Sequence, residues 1–276
     1  MRMKKRLKKS VIQLLSCLIP LKSLRKKFRD RFIHGKMNNN KIVISDVNKN
    51  ENNNKIIVID GQGNKKFCES FPNLDVKFLG SNNYIEISES AKILSKTQII
   101  CTDNVYVKVG ELCKLHLKFY GRISPYAKLI IGDKVTMGDV FFILHDEPGL
   151  EVRIGNDCMF SERIVVRPSD GHSIIDYYDE RVLNKPEPII IEEHCWLGRR
   201  TTFLKGTHVP KNSVVGANAL FTKSSGSLIN DGSGGIFAGV PAKLIRAGIT
   251  WNRLHTYDYE KMRKQEQFQC DSITHI

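Results

Sequence analysis

The sequence lacks the features that mark several large classes of protein. Its seven cysteines are odd in number and no two of them stand at a CxxC spacing, so neither a disulfide framework nor a zinc site is expected. No apolar run reaches the roughly 20 residues that a membrane-spanning helix needs. Acidic residues are fewer than basic ones, 29 against 43. We therefore expect a reducing, cytoplasmic location and no metal.

The excess of positive charge is confined to the amino-terminal end. Residues 1–36 contain thirteen Lys or Arg and one acid, Asp30, which leaves only about +2 of the formal +14 for the other 240 residues. A nucleic-acid-binding fold would spread its basic residues over a face of the body. Nucleic acid is therefore not an expected partner.

Residues 1–40 are predicted to form a basic amphipathic leader. Its apolar stretch, Val11 to Leu21, is about half the length of a membrane span. No small-x-small cleavage site follows, which argues against a secretory signal. The pattern indicates a helix that lies on the inner face of the cytoplasmic membrane, with a solvated or partner-packed helix as the alternative. Two short strands, Ile42–Ile44 and Ile56–Ile59, are predicted after it.

A period of six residues governs much of the rest of the chain. Apolar residues recur at every sixth position from residue 191, and a compact residue follows four places after each of the first five. The apolar row is Ile191, Leu197, Phe203, Val209, Val215 and Phe221, and the compact row is Cys195, Thr201, Thr207, Ser213 and Ala219. A helix repeats every 3.6 residues and a plain strand every 2, so neither explains this pattern.

The same step recurs upstream, with changes of phase between blocks. The inward positions predicted there are Ile87, Ile93, Ile99 and Val105, then Ile131, Met137 and Ile143, then Ile154, Phe160 and Val166. A hexapeptide repeat predicts an all-β fold, a parallel β-helix in which each unit forms one side of a triangular coil. We assign residues 41–240 to this domain, residues 241–276 to a short carboxyl-terminal tail, and the interruption at 168–190 to a loop.

Four segments carry a resemblance to a known family. They are "SDGHSIID" at 169–176, "IIIEEHCWLGRRTTFLKGTHVPKNSVVGANALFTK" from residue 189, "IFAGVPAKLIR" from residue 236, and "WNR" at 251–253. Together they resemble the left-handed β-helix O-acetyltransferases that use acetyl-CoA to modify sugars. The chain looks most similar to the branch that acts on sialic acid and on capsular or lipooligosaccharide glycans.

The resemblance implies an acetyl-CoA-dependent enzyme that acetylates a hydroxyl of a bacterial surface glycan, with sialic acid the first acceptor to consider. It also implies a homotrimer and direct transfer, without an acyl-enzyme. Three alternatives stay open: an N-acetyltransferase acting on an amino-sugar nucleotide, a xenobiotic acetyltransferase, and a β-helix without catalytic activity.

The candidate catalytic residues lie in and after the interrupting loop. His172 is the predicted general base, because an imidazole suits removal of a hydroxyl proton at neutral pH. Asp170 or Asp176 is expected to orient its ring, and the sequence does not decide between them. Trp196 lies outside the inward row and is expected to cover the acetyl group, pack on the acceptor or donate its N–H.

Further residues are candidates for contact with coenzyme A or with the acceptor. For the pantetheine arm they are Gly198, Lys205, Gly216 and Ala217, and for the phosphates Lys223, Lys243 and Arg246. His194 is a weaker candidate for the acceptor, and His145 is a weaker candidate for the same cleft. His208 is expected at the surface.

Overall fold

The fold is taken from a computed structural model that describes residues 42–45, 52–226, 229 and 232–273. The predicted leader helix lies outside the described residues. The two short strands predicted after the leader are present, as β1 and β2.

Within the described residues the chain forms strands and one helix. The first half contains β1 (Val43–Ser45), β2 (Lys55–Ile59), β3 (Lys65–Ser70), β4 (Leu74–Phe78), β5 (Tyr84–Ser88), β6 (Lys92–Ile93), β7 (Thr97–Cys101), β8 (Tyr106–Val109), β9 (Lys114–Phe119), β10 (Lys128–Ile131) and β11 (Thr136–Phe142). The second half contains β12 (Glu151–Ile154), β13 (Met159–Phe160), β14 (Ile164–Arg167), β15 (Ile189–Ile191), β16 (Trp196–Leu197), β17 (Thr202–Leu204), β18 (His208–Val209), β19 (Val214–Val215), β20 (Leu220–Phe221), β21 (Gly234–Gly239), β22 (Ala242–Ile249) and the helix α1 (Thr256–Ile273).

The strands stack as a parallel solenoid. One side is the series β2, β5, β8, β10, β12, β15 and β18, in which each strand pairs in parallel with the strand one coil later. A second large sheet passes from β6 and β9 to β11. It then divides into β13, β16, β19 and β21 on one side, and β14, β17 and β20 on another. The predicted all-β parallel β-helix is confirmed.

The core consists of the rows that the period of six predicted. Every residue of the apolar row from Ile191 to Phe221 is at most 1% exposed, and so is every residue of the compact row from Cys195 to Ala219. Burying each large apolar side chain stabilises the fold by about 1.5–3 kcal/mol. The compact residues occupy buried positions next to the corners of the coil.

One predicted inward position is wrong. Ile143 is only partly buried, whereas Phe142 is fully buried. Met137 pairs with Phe160 and Phe142 pairs with Val166, so β11 covers in five residues a distance for which the next coil uses six. Relative to the preceding coil β11 has one residue more, because Met137 pairs with Leu115 and Phe142 with Phe119. Successive coils therefore differ in length here, which shifts the phase of the inward side chains.

The coil ends on structure that departs from the repeat. In the predicted tail, β22 pairs with β21 in the antiparallel direction, where β21 continues the parallel stack from β19. The chain then turns back towards earlier coils, where Trp251 is buried. We call residues 251–253 the strap. The strap precedes α1, whose described side chains are mostly exposed.

Candidate active site

The octet Ser169–Asp176 lies in the long loop between β14, which ends at Arg167, and β15, which begins at Ile189. This is the loop that the break in the period predicted. Gly171 has a φ of +84°, a conformation that a residue with a side chain rarely adopts. A Cβ at Gly171 would lie 3.0 Å from Nη2 of Arg167 and 3.2 Å from Cγ of Asp146. The backbone beside His172 is therefore packed closely on charged side chains.

The loop of the preceding coil holds the octet from one side. Arg167 donates from Nε and Nη2 to Oδ2 of Asp146, both at 3.3 Å, and from Nη2 to the carbonyl oxygen of Asp170 at 2.9 Å. The hydroxyl of Ser169 donates to Oε1 of Glu147 at 2.7 Å and accepts from the amide of Gly171 at 3.0 Å. These contacts join residues 146–147 to the start of the octet.

His145 belongs to the same group of residues. Its Nε2 lies 3.2 Å from Oδ1 of Asp146, and its ring centroid is 5.0 Å from that of Tyr120, which is exposed. Its Nδ1 is buried without a hydrogen-bond partner in the part of the chain that is described. Asp146 thus joins His145 to Arg167 and, through Arg167, to the octet.

A second set of contacts holds the octet from the other side. Asn184 donates from Nδ2 to the carbonyl oxygen of His172 at 2.8 Å and to Oδ2 of Asp170 at 2.9 Å, while its Oδ1 accepts from the amide of Ile174 at 2.7 Å. Lys205, which follows β17, donates from Nζ to Oδ2 of Asp170 at 2.6 Å and to the carbonyl oxygen of Asn184 at 2.8 Å. The loop is thereby fixed to a regular coil.

Neither candidate carboxylate is hydrogen-bonded to the ring of His172. Asp170 is engaged with Lys205 and Asn184, and the Lys205 ammonium lowers the pKa of the Asp170 carboxyl. Asp176 accepts from the amide of Tyr178 at 2.9 Å and lies 3.9 Å from the guanidinium of Arg181. The His172 side chain is exposed, so its ring is open to a ligand.

The remainder of the loop forms a short hairpin. Ile175 and Val182 form an antiparallel bridge, and the amide of Leu183 donates to the carbonyl oxygen of Ile174 at 2.8 Å. Tyr177 and Tyr178, at the tip, are 90% and 92% exposed. The hairpin therefore presents large apolar side chains to the surroundings within a few residues of His172.

Trp196 starts the second side of its coil and is 42% exposed. It is aligned with Met159 in the coil before and with Val214 in the coil after. The ring of Trp251, from the strap, lies 6.1 Å from it at 45°. The carboxyl-terminal strap thus forms part of the surroundings of the candidate Trp196.

His194 occupies a coil corner with a φ of +54° and is bound to the strap. Its Nδ1 lies 2.7 Å from Oδ2 of Asp157, and its Nε2 lies 3.0 Å from the carbonyl oxygen of Trp251. Arg253 donates from Nε to Oδ1 of Asp157 at 2.9 Å. Burial raises the pKa of Asp157, but hydrogen bonds from His194 and Arg253 outweigh it, and the net pKa is lowered.

The candidates for coenzyme A fall into two groups. Gly198, Gly216 and Ala238 are stacked in successive coils at one corner. A Cβ added to Gly198 would lie 2.8 Å from the carbonyl carbon of Gly216, and a Cβ added to Gly216 would lie 3.2 Å from Cβ of Ala238. Ala238 pairs with Lys243 on β22, and this lysine is exposed. Ala217 and Arg246 are exposed as well. These five candidates therefore lie on neighbouring strands and corners at the carboxyl-terminal end.

The other two cofactor candidates are already paired with acids. Lys205 binds Asp170, and Nζ of Lys223 lies 2.6 Å from Oε2 of Glu187 in the long loop.

His208, which is expected at the surface, is exposed, and its Nε2 lies 2.7 Å from Oε1 of Glu192.

The cysteines at positions 68, 101, 113, 158 and 195 are free and buried. Burial raises the pKa of Cys101 to about 12 and that of Cys113 to about 11. The thiolate is the nucleophilic form of cysteine, so such thiols are poor nucleophiles. Over the described residues, no group of three or more His, Cys, Asp or Glu side chains is arranged to hold a metal ion.

Comparison with known proteins gives agreement in sequence and in fold. Residues 188–223 match the family model described as "Hexapeptide repeat of succinyl-transferase". A polysialic acid O-acetyltransferase of Escherichia coli O1:K1 is 33% identical over 127 residues, which are 46% of this chain and 39% of that protein. A polysialic acid O-acetyltransferase of Neisseria meningitidis is 30% identical over 135 residues, 46% of this chain and 58% of that protein.

A solved structure extends the agreement to three dimensions. The crystal structure of the polySia-specific acetyltransferase NeuO superposes with a TM-score of 0.56 at 28% identity, covering 66% of this chain and 80% of that chain. The predicted resemblance to the hexapeptide-repeat O-acetyltransferases is confirmed.

The chain spans less than two thirds of the length of the two curated relatives described above. No helix in the described ranges is long and apolar enough to cross a membrane.

Several residues of the site were not predicted from the sequence. Asn184, Arg167 and Asp146 hold the octet, and each lies outside the quoted octet itself. Their signal is weak, since a polar residue in a loop is common. Trp251 and Arg253 are part of the quoted "WNR" segment, but their contacts with His194 and Asp157 could be found only from the fold.

Proposed function

We propose that this protein transfers the acetyl group of acetyl-CoA to a hydroxyl of a bacterial surface-glycan sugar, with sialic acid the first acceptor to test. The observation that carries the proposal is the placement of His172. It stands on a loop fixed from two sides, its ring is exposed, and the coils around it are similar to those of polysialic acid O-acetyltransferases.

His172 acts as the general base in this proposal. The acceptor oxygen attacks the carbonyl carbon of the thioester as His172 removes its proton, and the bond from carbon to sulfur breaks to release CoA. The proton passes from the imidazolium to the leaving thiolate, so the base is restored. The deeply buried cysteines support direct transfer over an acyl-enzyme.

The corner column of Gly198 and Gly216 is proposed to receive the pantetheine arm, with Ala217 beside it. Neither glycine carries a side chain that would obstruct a slender arm, while their own amides are bonded to carbonyl oxygens of the next coil. Lys243 and Arg246 are proposed to bind the phosphates, because both are exposed on β22. Trp196, half-exposed next to the strap, is proposed to cover the acetyl group or the acceptor.

We also propose a homotrimer, with the hairpin of one chain facing its neighbour. Six large apolar side chains between residues 174 and 183 are exposed, namely Ile174, Ile175, Tyr177, Tyr178, Val182 and Leu183. Contiguous exposed apolar surface of this kind marks an interaction site. Light scattering on the purified protein measures the mass; a monomer at micromolar concentration would contradict this part of the proposal.

The experiment that tests the function measures free thiol released from acetyl-CoA, for the wild type and for His172→Ala. The acceptors are sialylated oligosaccharides, neutral oligosaccharides, UDP-amino sugars and chloramphenicol. Turnover on a sialylated or other hydroxyl acceptor that falls by orders of magnitude in His172→Ala supports the proposal. Turnover on a UDP-amino sugar or on chloramphenicol alone supports an alternative acceptor class. Equal rates in the two proteins would show that His172 is not the base.

A further inference from the structure

We infer that Asn184 and Lys205 are positioning residues for His172, and that Asp170 serves as their anchor instead of orienting the imidazole. The inference rests on the proposed function, in which His172 is the base. It adds to that function the groups that hold the backbone of His172 in position.

The side-chain amide of Asn184 contacts the chain on both sides of His172: the carboxylate of Asp170 before it, and the backbone from His172 to Ile174 after it. Its two donor contacts reach the carbonyl oxygen of His172 and the carboxylate of Asp170, and its oxygen accepts from the amide of Ile174. An asparagine side chain offers both donors and an acceptor, and here both kinds of group are used. A carboxylate at position 184 could keep only the contact with Ile174, because an ionised carboxylate donates no hydrogen bond.

Lys205 connects this group to the solenoid. It follows β17, and its Nζ contacts Asp170 and the backbone of Asn184 at the same time. The Lys205 side chain is only 19% exposed, so removal of Asp170 would leave a largely buried ammonium without its counter-charge. The contact is charge-assisted and short, as expected of a strong hydrogen bond.

The carboxylate of Asp170 is therefore bound by the residues that hold the loop in place. Its Oδ2 accepts from both Lys205 and Asn184, and its backbone oxygen accepts from Arg167. The backbone of His172 is fixed while its ring is left free to meet a substrate. Misplacement of a catalytic group by about 1 Å can reduce a rate by about 10²-fold. Loss of the contacts made by Asn184 and Lys205 is therefore expected to slow the chemical step.

The test compares Asn184→Asp and Lys205→Met with two matched controls in the full chain. Asn73→Asp alters an asparagine that also donates to a backbone carbonyl, that of Ile93. Lys118→Met removes a lysine paired with Asp139 at 2.8 Å. Three quantities are measured: kcat and KM for acetyl-CoA, the pH at which kcat/KM changes, and the rate of trypsin cleavage after Arg181 within the loop.

The two loop variants are expected to lose about 10²-fold in kcat, with KM for acetyl-CoA almost unchanged. The loss of kcat is expected across the whole pH profile, because it comes from misplacement of His172 and no hydrogen-bond partner of its ring is removed. Cleavage after Arg181 becomes faster, since the loop is less firmly held, whereas both controls behave as the wild type. If Asn184→Asp does not fold, Lys205→Met supplies the same comparison.

Three results would overturn the inference. A raised KM for acetyl-CoA with unchanged kcat in Lys205→Met would make Lys205 a cofactor contact, as the sequence suggested. Faster cleavage with unchanged kcat would show that Asn184 and Lys205 stabilise the loop without positioning His172 for the reaction. An inflection shifted in Asp170→Asn would show that Asp170 acts on the imidazole. Failure of the proposed function is recognised separately, because His172→Ala would then match the wild type while the cleavage assay still reports on the loop.

Discussion

His194 and Trp251 bind one another through reciprocal hydrogen bonds, although 57 positions separate them in the sequence. The indole Nε1 of Trp251 donates to the carbonyl oxygen of His194 at 2.7 Å, and the ring of His194 lies 3.0 Å from the carbonyl oxygen of Trp251. The two rings stack with centroids 4.5 Å apart. The strap is therefore attached to the coil corner immediately before Trp196.

Arg253 is predicted to be the principal attachment of the strap. It donates to Asp157, to the hydroxyl of Thr136 and to the carbonyl oxygens of Lys134 and Cys158. Arg253→Ala should accelerate amide hydrogen exchange in residues 251–255 by at least about tenfold, and Arg253→Lys should restore little, because an ammonium cannot reproduce the planar fork. Arg263→Ala, which removes an exposed pair with Glu266 on α1, is the control. Unchanged exchange in Arg253→Ala would contradict the prediction.

The Asp157 carboxylate is predicted to stabilise the fold in a pH-dependent manner. Its pKa is lowered in the folded protein, so its stabilisation is present above its ordinary pKa of about 3.9 and is lost as the pH falls through the lowered value. About a third of the side chain is exposed, and solvent screening limits the contribution to about 1 kcal/mol or less. The wild type should melt up to about 4 °C higher than Asp157→Asn at pH 7, and the difference between the two melting temperatures should shrink as the pH falls below about 3.9. A gap of constant size would refute the assignment.

Gly171→Ala is predicted to impair catalysis more than stability. The added Cβ would lie against Arg167 and Asp146 at a φ of +84°, so the backbone next to His172 must shift. We expect kcat to fall by about tenfold or more. Gly63→Ala is a matched control, because Gly63 has a φ of +85° and no atom within 4 Å of its Cβ position. It carries the same backbone strain without the contact, and equal losses of kcat in the two variants would contradict the prediction.

The corrected phase of β11 also has a measurable consequence. Phe142 is fully buried and Ile143 is not. Phe142→Ala should lower the free energy of unfolding by about 3–5 kcal/mol, and Ile143→Ala by well under half of that. Urea denaturation followed by circular dichroism compares the two. A larger loss in Ile143→Ala than in Phe142→Ala would show that Ile143 faces the core, as an uninterrupted period of six predicts.

The sequence predicted the rows of the core because a hexapeptide repeat determines which side chains face inward. It failed at Ile143 because successive coils differ in length there, which the spacing of apolar residues does not record. The loop with His172 was found from the break in the period. The partner of Asp170 was not found, since proximity in sequence suggested the imidazole, whereas the folded chain places Lys205 there, 35 positions away.

The chain has two tryptophans, and the fold places both at one corner of the solenoid, with ring centroids 6.1 Å apart. All of the indole emission of the protein therefore originates at the candidate site, and the two chromophores are close enough to interact electronically. A ligand that covers Trp196, or a movement of the strap that turns Trp251, would alter the spectrum without competition from a distant indole. The unlabelled protein consequently carries its own optical reporter, located where the acetyl group is proposed to be transferred.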